Sequence, residues 1–387
     1  MSHVSKAVNI ADLRLRAKRR LPKGIFDFID GGAEDEISLA DNRAGFERIR
    51  MVPRVLVDVE TPDLSTTVLG KPSAAPFVIA PMGSVAVAWP EADLILARAA
   101  AKVGIPYTMS TMSTLSVEDL TRQVDGRHWF QLYVMRDWDF NMRLIDRAAA
   151  AGCEALAVTV DTYVPGNRER NVRNNVTLPI KPSWRMGWGV MTHPAWALAM
   201  AKAGSPEFGN VRDLNQDVAI GFNAGGRAAS RFDTSLDWDD LKRIRDRWPG
   251  KLMVKGVEHP TDAVRMVKEG VDAMWVSNHG GRQLDGAIAT IDALPTIAEA
   301  VGDKVPIIID SGVRRGVDAM KARALGAEAC AVGRAALFGA AAGGVAGADR
   351  ALEILTGELR TAMQLSGIAK VDDIDRDILA SQGWPGA

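Results

Sequence analysis

Cysteine is nearly absent: Cys153 and Cys330 are the only two in 387 residues, and neither lies in a CxxC or Cys/His cluster. That excludes a disulfide framework, gives no zinc signature, and fits a reducing compartment. Net charge is missing too. With 47 basic residues against 48 acidic ones, nothing supplies the positive field that nucleic-acid binding needs. No run is long and apolar enough to span a bilayer, and the Ala/Gly-rich stretch Ala335 to Ala348 is both too short and too weakly apolar. The N-terminus has no apolar core of the signal-peptide kind. These absences leave an expectation of a metal-free, cytoplasmic protein, soluble or at most peripheral on the inner face of the cell membrane.

What is present centres on AMWVSNHGGRQLD, Ala273 to Asp285. An apolar run of strand type breaks at its C-terminal end into His, Gly-Gly and Arg, the layout of a barrel active site built on βα loops. His279 can exchange a proton near neutral pH. Arg282 offers a planar fork for a carboxylate. Gly280 and Gly281 allow positive φ or a close backbone approach. A base beside a carboxylate clamp suggests proton removal next to a carboxylate; the alternative is a polar loop after a buried strand.

From Phe77 onward, short apolar or β-branched runs recur: FVIAP, YTMS, WFQLY, LAVTVD, LMVKG, MWVSNHG, IIIDSG and CAVGR. Amphipathic segments such as EADLILARAAAKVG and VDAMKARALGA separate most of them and end in Gly, as helices do. Strands alternating with helices mean parallel βαβ units, and eight of them predict a closed (β/α)8 TIM barrel. Each run turns polar or unusual at its end: Pro81, Ser110, Gln131, Thr159 with Asp161, Lys255, Ser277 with His279, Asp310, and Gly333 with Arg334. A barrel gathers those ends around one mouth. On the last two strands, IDSGVRRG and VGRAALFG put Gly and Arg at strand-to-helix turns, where Arg314 or Arg334 and backbone N–H groups could hold a phosphate.

Spacing is regular except between strands four and five, where roughly 90 residues replace a normally short crossover. Residues 179–235 are therefore read as an insertion over the mouth, within a single domain spanning 1–387. Trp184, Trp188 and Trp196 with Lys181, Arg185 and Lys202 resemble an interfacial membrane anchor; a lid or subunit interface would bury the same groups. Its second half, GFNAGGRAAS, is glycine-rich and reads as mobile. At the other end, Asn9 to Leu21 predicts a capped helix, followed by a second that starts at Pro22 and ends near Gly31-Gly32. Its basic residues, Arg14 to Lys23, read as a solvated face or a contact for an anionic membrane.

Taken together, LPKGIFDFIDGGAEDE, FQLYV, TVDTYVPGNRERNVRN, VKG, SNHGGRQLDGA, DSGVRRG and GAEACAVGR resemble the FMN-dependent L-2-hydroxy acid dehydrogenases and oxidases. That family includes glycolate oxidase, lactate dehydrogenase, mandelate dehydrogenase and the flavin domain of flavocytochrome b2. The insertion is most similar to the bacterial membrane-associated lactate and mandelate dehydrogenases. The resemblance implies that His279 takes a proton from an L-2-hydroxy acid while Asp161 steadies the imidazolium. It implies that Arg168 and Arg282 bind the substrate carboxylate and that Tyr133 faces the substrate hydroxyl. Lys255 would lie at the flavin N1/O2 edge. Pro81, Met82, Gly83, Ser110, Gln131, Thr159 and Ser277 would line the flavin, and Asp310, Ser311, Gly312, Arg314, Gly333 and Arg334 its ribityl phosphate end. A homotetramer passing electrons to a quinone or another acceptor is implied as well.

Two departures bear on substrate. Phe28 stands where most members have a carboxylate-binding tyrosine, which disfavours small polar acids. Gly83 replaces a frequent alanine and is expected to leave room for a bulky side chain. A soluble oxidase that forms hydrogen peroxide is a second reading, and a non-catalytic flavin- or phosphate-binding barrel is a third.

Overall fold

The computed structural model describes residues 3–174, 184–204, 207–214 and 230–380. Eight parallel strands close into a barrel: β1 (Phe77–Ile79), β2 (Tyr107–Ser110), β3 (His128–Leu132), β4 (Ala155–Thr159), β5 (Lys251–Val257), β6 (Ala273–Val276), β7 (Ile307–Ile309) and β8 (Ala329–Val332). β8 pairs with β1 to complete the circle. Each strand begins within a residue of the apolar run that predicted it, because strands buried on both faces read as near-continuous apolar runs. The interior is packed rather than hollow. Trp129 and Trp275 meet edge to face at 6.4 Å among Val78, Ala157, Met253, Ile308 and Ala331, all buried. An antiparallel hairpin, Thr66–Val68 with Lys71–Ser73, carries Val68 and Leu69 into the same cluster and so plugs the end opposite the mouth.

Three helices precede the barrel: α1 (Ile10–Arg20), α2 (Lys23–Asp30) and α3 (Ile37–Arg48). Asn9 caps α1 by accepting from the Asp12 N–H at 2.8 Å, as its position in the sequence suggests. The Ala/Gly-rich stretch lies inside the helical run Arg334–Ser366, which breaks at Gly343 and Gly344. The chain doubles back there, so a Cβ on Gly339 would stand 2.3 Å from the Gly347 carbonyl oxygen. Small residues serve a close helix–helix approach in this stretch, not a membrane.

The crossover from β4 to β5 holds the helices Trp184–Thr192 and Pro194–Ala203 and a turn at Gly209–Val211. Lys181 and most of GFNAGGRAAS lie outside the described residues. Gly189 packs on Pro22 and the Trp196 indole donates to the Val87 carbonyl at 2.9 Å, which fixes this pair of helices beside the β1 end of the mouth. Trp196 is therefore buried against the barrel, whereas Trp188, Met191 and Leu198 are 62%, 69% and 57% exposed. Among the described residues no helix is long and apolar enough to cross a membrane.

Candidate active site

The turn after β6 is held from outside. Asn278 and Asn42 exchange two amide hydrogen bonds of 2.9 Å, and the Gly281 N–H returns to Asn278 Oδ1 at 3.1 Å. Between those ties His279, Gly280 and Gly281 all take left-handed backbone, φ 57°, 70° and 69°. At Gly281 a side chain would also lie 2.5 Å from the Leu39 nitrogen, so both reasons for glycine apply there.

That turn presents the His279 ring between two partners. Its Nδ1 is 2.9 Å from Asp161 Oδ1, and its Nε2 is 3.3 Å from the Tyr133 hydroxyl. With a carboxylate at Nδ1, the ring donates Nδ1–H and keeps its Nε2 lone pair toward the mouth. Burial pushes His279 below its ordinary value and outweighs Asp161, which raises it. The sequence suggests a carboxylate partner that favours the charged ring; in the folded protein desolvation wins, and the resting ring is a neutral base. Asp161 stays below the ordinary carboxylate range: burial opposes its charge, but His279 and Lys255 more than offset that. Tyr133 is pushed up to about 12, chiefly by burial, so it keeps its proton.

Arg168 and Arg282 line the same cavity as His279 and Phe28. Arg282 donates to the Gly31 carbonyl at 2.7 Å and lies 5.7 Å from the Phe28 ring centre. Arg168 reaches the Arg282 carbonyl at 3.3 Å and Gln283 Oε1 at 3.1 Å. Among the described residues Arg314 and Arg334, further round the cavity, donate to backbone carbonyls: Val313 for the first, and Ile29, Gly31 and Gly280 for the second. Among the described residues none of these four guanidiniums is ion-paired with a carboxylate. Burial pulls all four down, Arg314 to about 9 and Arg334 to about 10, and the neighbouring arginines reinforce the fall in Arg282, Arg314 and Arg334. Half-buried, unpaired positive charge of this kind is favoured by an anion beside it.

The remaining strand ends form a polar collar. Ser110 donates to Gln131 (3.0 Å), and Gln131 to Thr159 (3.0 Å), across β2, β3 and β4. Lys255 on β5 donates to Ser277 at 2.7 Å and pairs with Asp310 at 3.2 Å. Burial opposes its charge, but Asp310 and Asp161 more than compensate and raise it. Pro81, Met82, Gly83, Ser311, Gly312 and Gly333 complete the lining, whereas Ser110, Gln131, Thr159 and Ser277 sit just outside it. Gly83 corrects one expectation. A methyl there would meet Met112 Cβ at 2.7 Å, so the glycine admits Met112 instead of widening the mouth.

Two contributors escaped the sequence reading. Phe232, from the end of the insertion, stacks on Tyr133 at 4.6 Å and lines the cavity. Gln283 ties Arg168 to the carbonyls of Asp161 and Val164. The motif SNHGGRQLD contained Gln283, but nothing local marks Phe232.

The family model described as FMN-dependent dehydrogenase matches residues 17–381. The chain belongs to that family. It is 40% identical over 375 residues to (S)-mandelate dehydrogenase of Pseudomonas putida, covering 97% of this chain and 94% of the relative. It is 41% identical over 382 residues to an L-lactate dehydrogenase of Caulobacter vibrioides, covering 96% and 97%. Among solved structures, that of the monotopic membrane protein (S)-mandelate dehydrogenase superposes with a TM-score of 0.93 at 39% identity, covering 97% of this chain and 99% of the other. The site of this FMN-dependent dehydrogenase fits its cofactor. Unpaired arginines at the β7 and β8 ends suit a phosphate, the hydroxyl and amide collar suits a ring with alternating donors and acceptors, and buried Lys255 suits the ring's electron-rich edge.

Proposed function

We propose that this protein oxidises an L-2-hydroxy acid to the 2-oxo acid, with residues 1–387 acting as one FMN-binding barrel and 179–235 as its inserted lid. The observation that carries this is His279, whose Nδ1 is anchored on Asp161, set in one cavity with two unpaired arginines. Arg168 and Arg282 bind the substrate carboxylate, and Tyr133 orients the hydroxyl. His279 Nε2 takes a proton from the substrate, and Asp161, already hydrogen-bonded at Nδ1, stabilises the imidazolium that forms. Arg314, Arg334, Asp310, Ser311, Gly312 and Gly333 hold the phosphate and ribityl end of FMN, and Lys255 with the collar holds its ring. When bound, FMN supplies the two-electron acceptor for the substrate carbon. Phe28, Phe232 and Met112 make the mouth apolar, which favours mandelate-like or bulkier acids over glycolate.

Visible absorbance of the purified protein, read before and after adding a panel of L-2-hydroxy acids in air, tests this reading. Lasting loss of the flavin band with one of them is the expected result, and an acid with an aromatic or long side chain should act fastest. Loss that recovers quickly with peroxide would make the protein an oxidase. A band that no acid removes would overturn the assignment.

Electrons then pass to a membrane quinone or another acceptor. Support comes from the exposed Trp188, Met191 and Leu198 beside the mouth and from the monotopic neighbour. Replacing these three by serine is expected to move the protein from the membrane pellet to the supernatant without altering FMN content. A parent protein already wholly in the supernatant would sink the membrane contact. We assign a homotetramer to the same reading, with the exposed Val55, Leu56 and Val57 loop as apolar surface for it, and light scattering would count the subunits.

A further inference from the structure

Strand β5 carries an irregularity at the mouth. Lys255 lies opposite Trp275 and Val257 opposite Val276, so one residue is skipped at Gly256, whose φ is 103°. Simple alternation from Lys255, which faces the barrel interior, would turn Val257 inward and Glu258 out. The skip reverses this. Val257 is 2% exposed in the layer under the helices, and Glu258 is brought within range of Asp161, Asp310 and Lys255. Gly256 itself makes the room, since a Cβ there would stand 2.7 Å from Asp161 Cβ. On the adjoining strand ends, two carboxyl oxygens are then buried without a hydrogen-bond partner among the described residues: Asp161 Oδ2 and Glu258 Oε1. One of those carboxyls holds His279.

We propose that Glu258 is a positioning residue for proton transfer, whose charge sets the basicity of His279 through Asp161. Ionised Glu258 adds negative charge beside Asp161 and favours the imidazolium; protonated Glu258 withdraws that support. Burial, with Asp161 and Asp310, pushes Glu258 up to about 7, while Lys255 opposes them, so the change of charge falls at neutral pH. His259, next in the chain, is exposed and engaged in accepting from the Thr261 N–H.

The proposal rests on His279 being the base, and its test separates the two. In FMN-loaded protein without substrate, the His279 resonance is followed by 15N-histidine NMR and assigned by its loss in His279→Gln. The parent should titrate in two steps, one from each group. Glu258→Gln fixes the neutral form: the second step should vanish, and kcat/KM should lose the further rise that Glu258 ionisation gives the parent near neutrality. A single-step curve in the parent, or a Glu258→Gln profile that coincides with the parent's through neutrality, overturns the proposal. The parent titration decides even if the variant does not fold.

Discussion

Replacing His279 with glutamine is expected to lower kcat/KM about 10²- to 10⁴-fold, the range a positioned general base contributes, while the flavin absorbance stays intact. The large figure follows from the absence of a substitute. Tyr133 is the other group at the ring's Nε2, but at about 12 it holds its proton too firmly to act as a base. Asp161 is a weaker base than histidine: burial raises it, but Lys255, which stays in the variant, opposes that. The pH profile carries the same assignment with a definite sign. Burial lowers His279, so the neutral ring should dominate already below its ordinary value of 6.5. The parent's kcat/KM should therefore rise with pH on the acid side, with its main limb below 6.5. Near-normal turnover by an FMN-bound His279→Gln enzyme would show that another group takes the proton.

Much of this site could be read from the chain because a barrel turns a one-dimensional signal into a ring. Apolar runs locate the strands, and a polar residue at the end of each must face the mouth, whichever strand carries it. Lys255 lines the cavity as that reading expects, whereas Ser110, Gln131, Thr159 and Ser277 lie just outside its lining. Pairings between distant residues were not legible. Asn42 and Asn278 are 236 positions apart, and no pattern in either segment announces that they lock the His279 turn. The fate of a glycine is equally unreadable without its neighbour: Gly83 suggests open space, but Met112 fills it. Tryptophan density in the insertion left a membrane anchor and a buried lid or interface both open; Trp196 is buried and gives its indole N–H to the Val87 carbonyl, while Trp188 is exposed. Nor does VKGVEHP reveal a skipped residue, since periodicity shows which residues alternate and not where the alternation fails.

Arg282→Lys is expected to reduce kcat/KM for a 2-hydroxy acid about 10²-fold, equivalent to about 2.7 kcal/mol, with FMN retained. The argument rests on how the guanidinium is already committed. One N–H is given to the Gly31 carbonyl at 2.7 Å, and the group lies 5.7 Å from the centre of the Phe28 ring. A planar fork can keep that bond and still offer two donors to a carboxylate; an ammonium on a shorter reach cannot do both. Phe28 cannot make up the loss, having no hydroxyl. Burial, with Arg168 and Arg334 adding to it, holds Arg282 well below its ordinary value, so a bound carboxylate relieves repulsion as well as forming hydrogen bonds. Neutral analogues sharpen the test. The amide of the same acid has no charge to lose, so its already low activity should be nearly the same in parent and variant. If acid and amide fall together, Arg282 is needed to hold the Gly31 and His279 segments in place, and Arg168 alone must carry the recognition of the carboxylate.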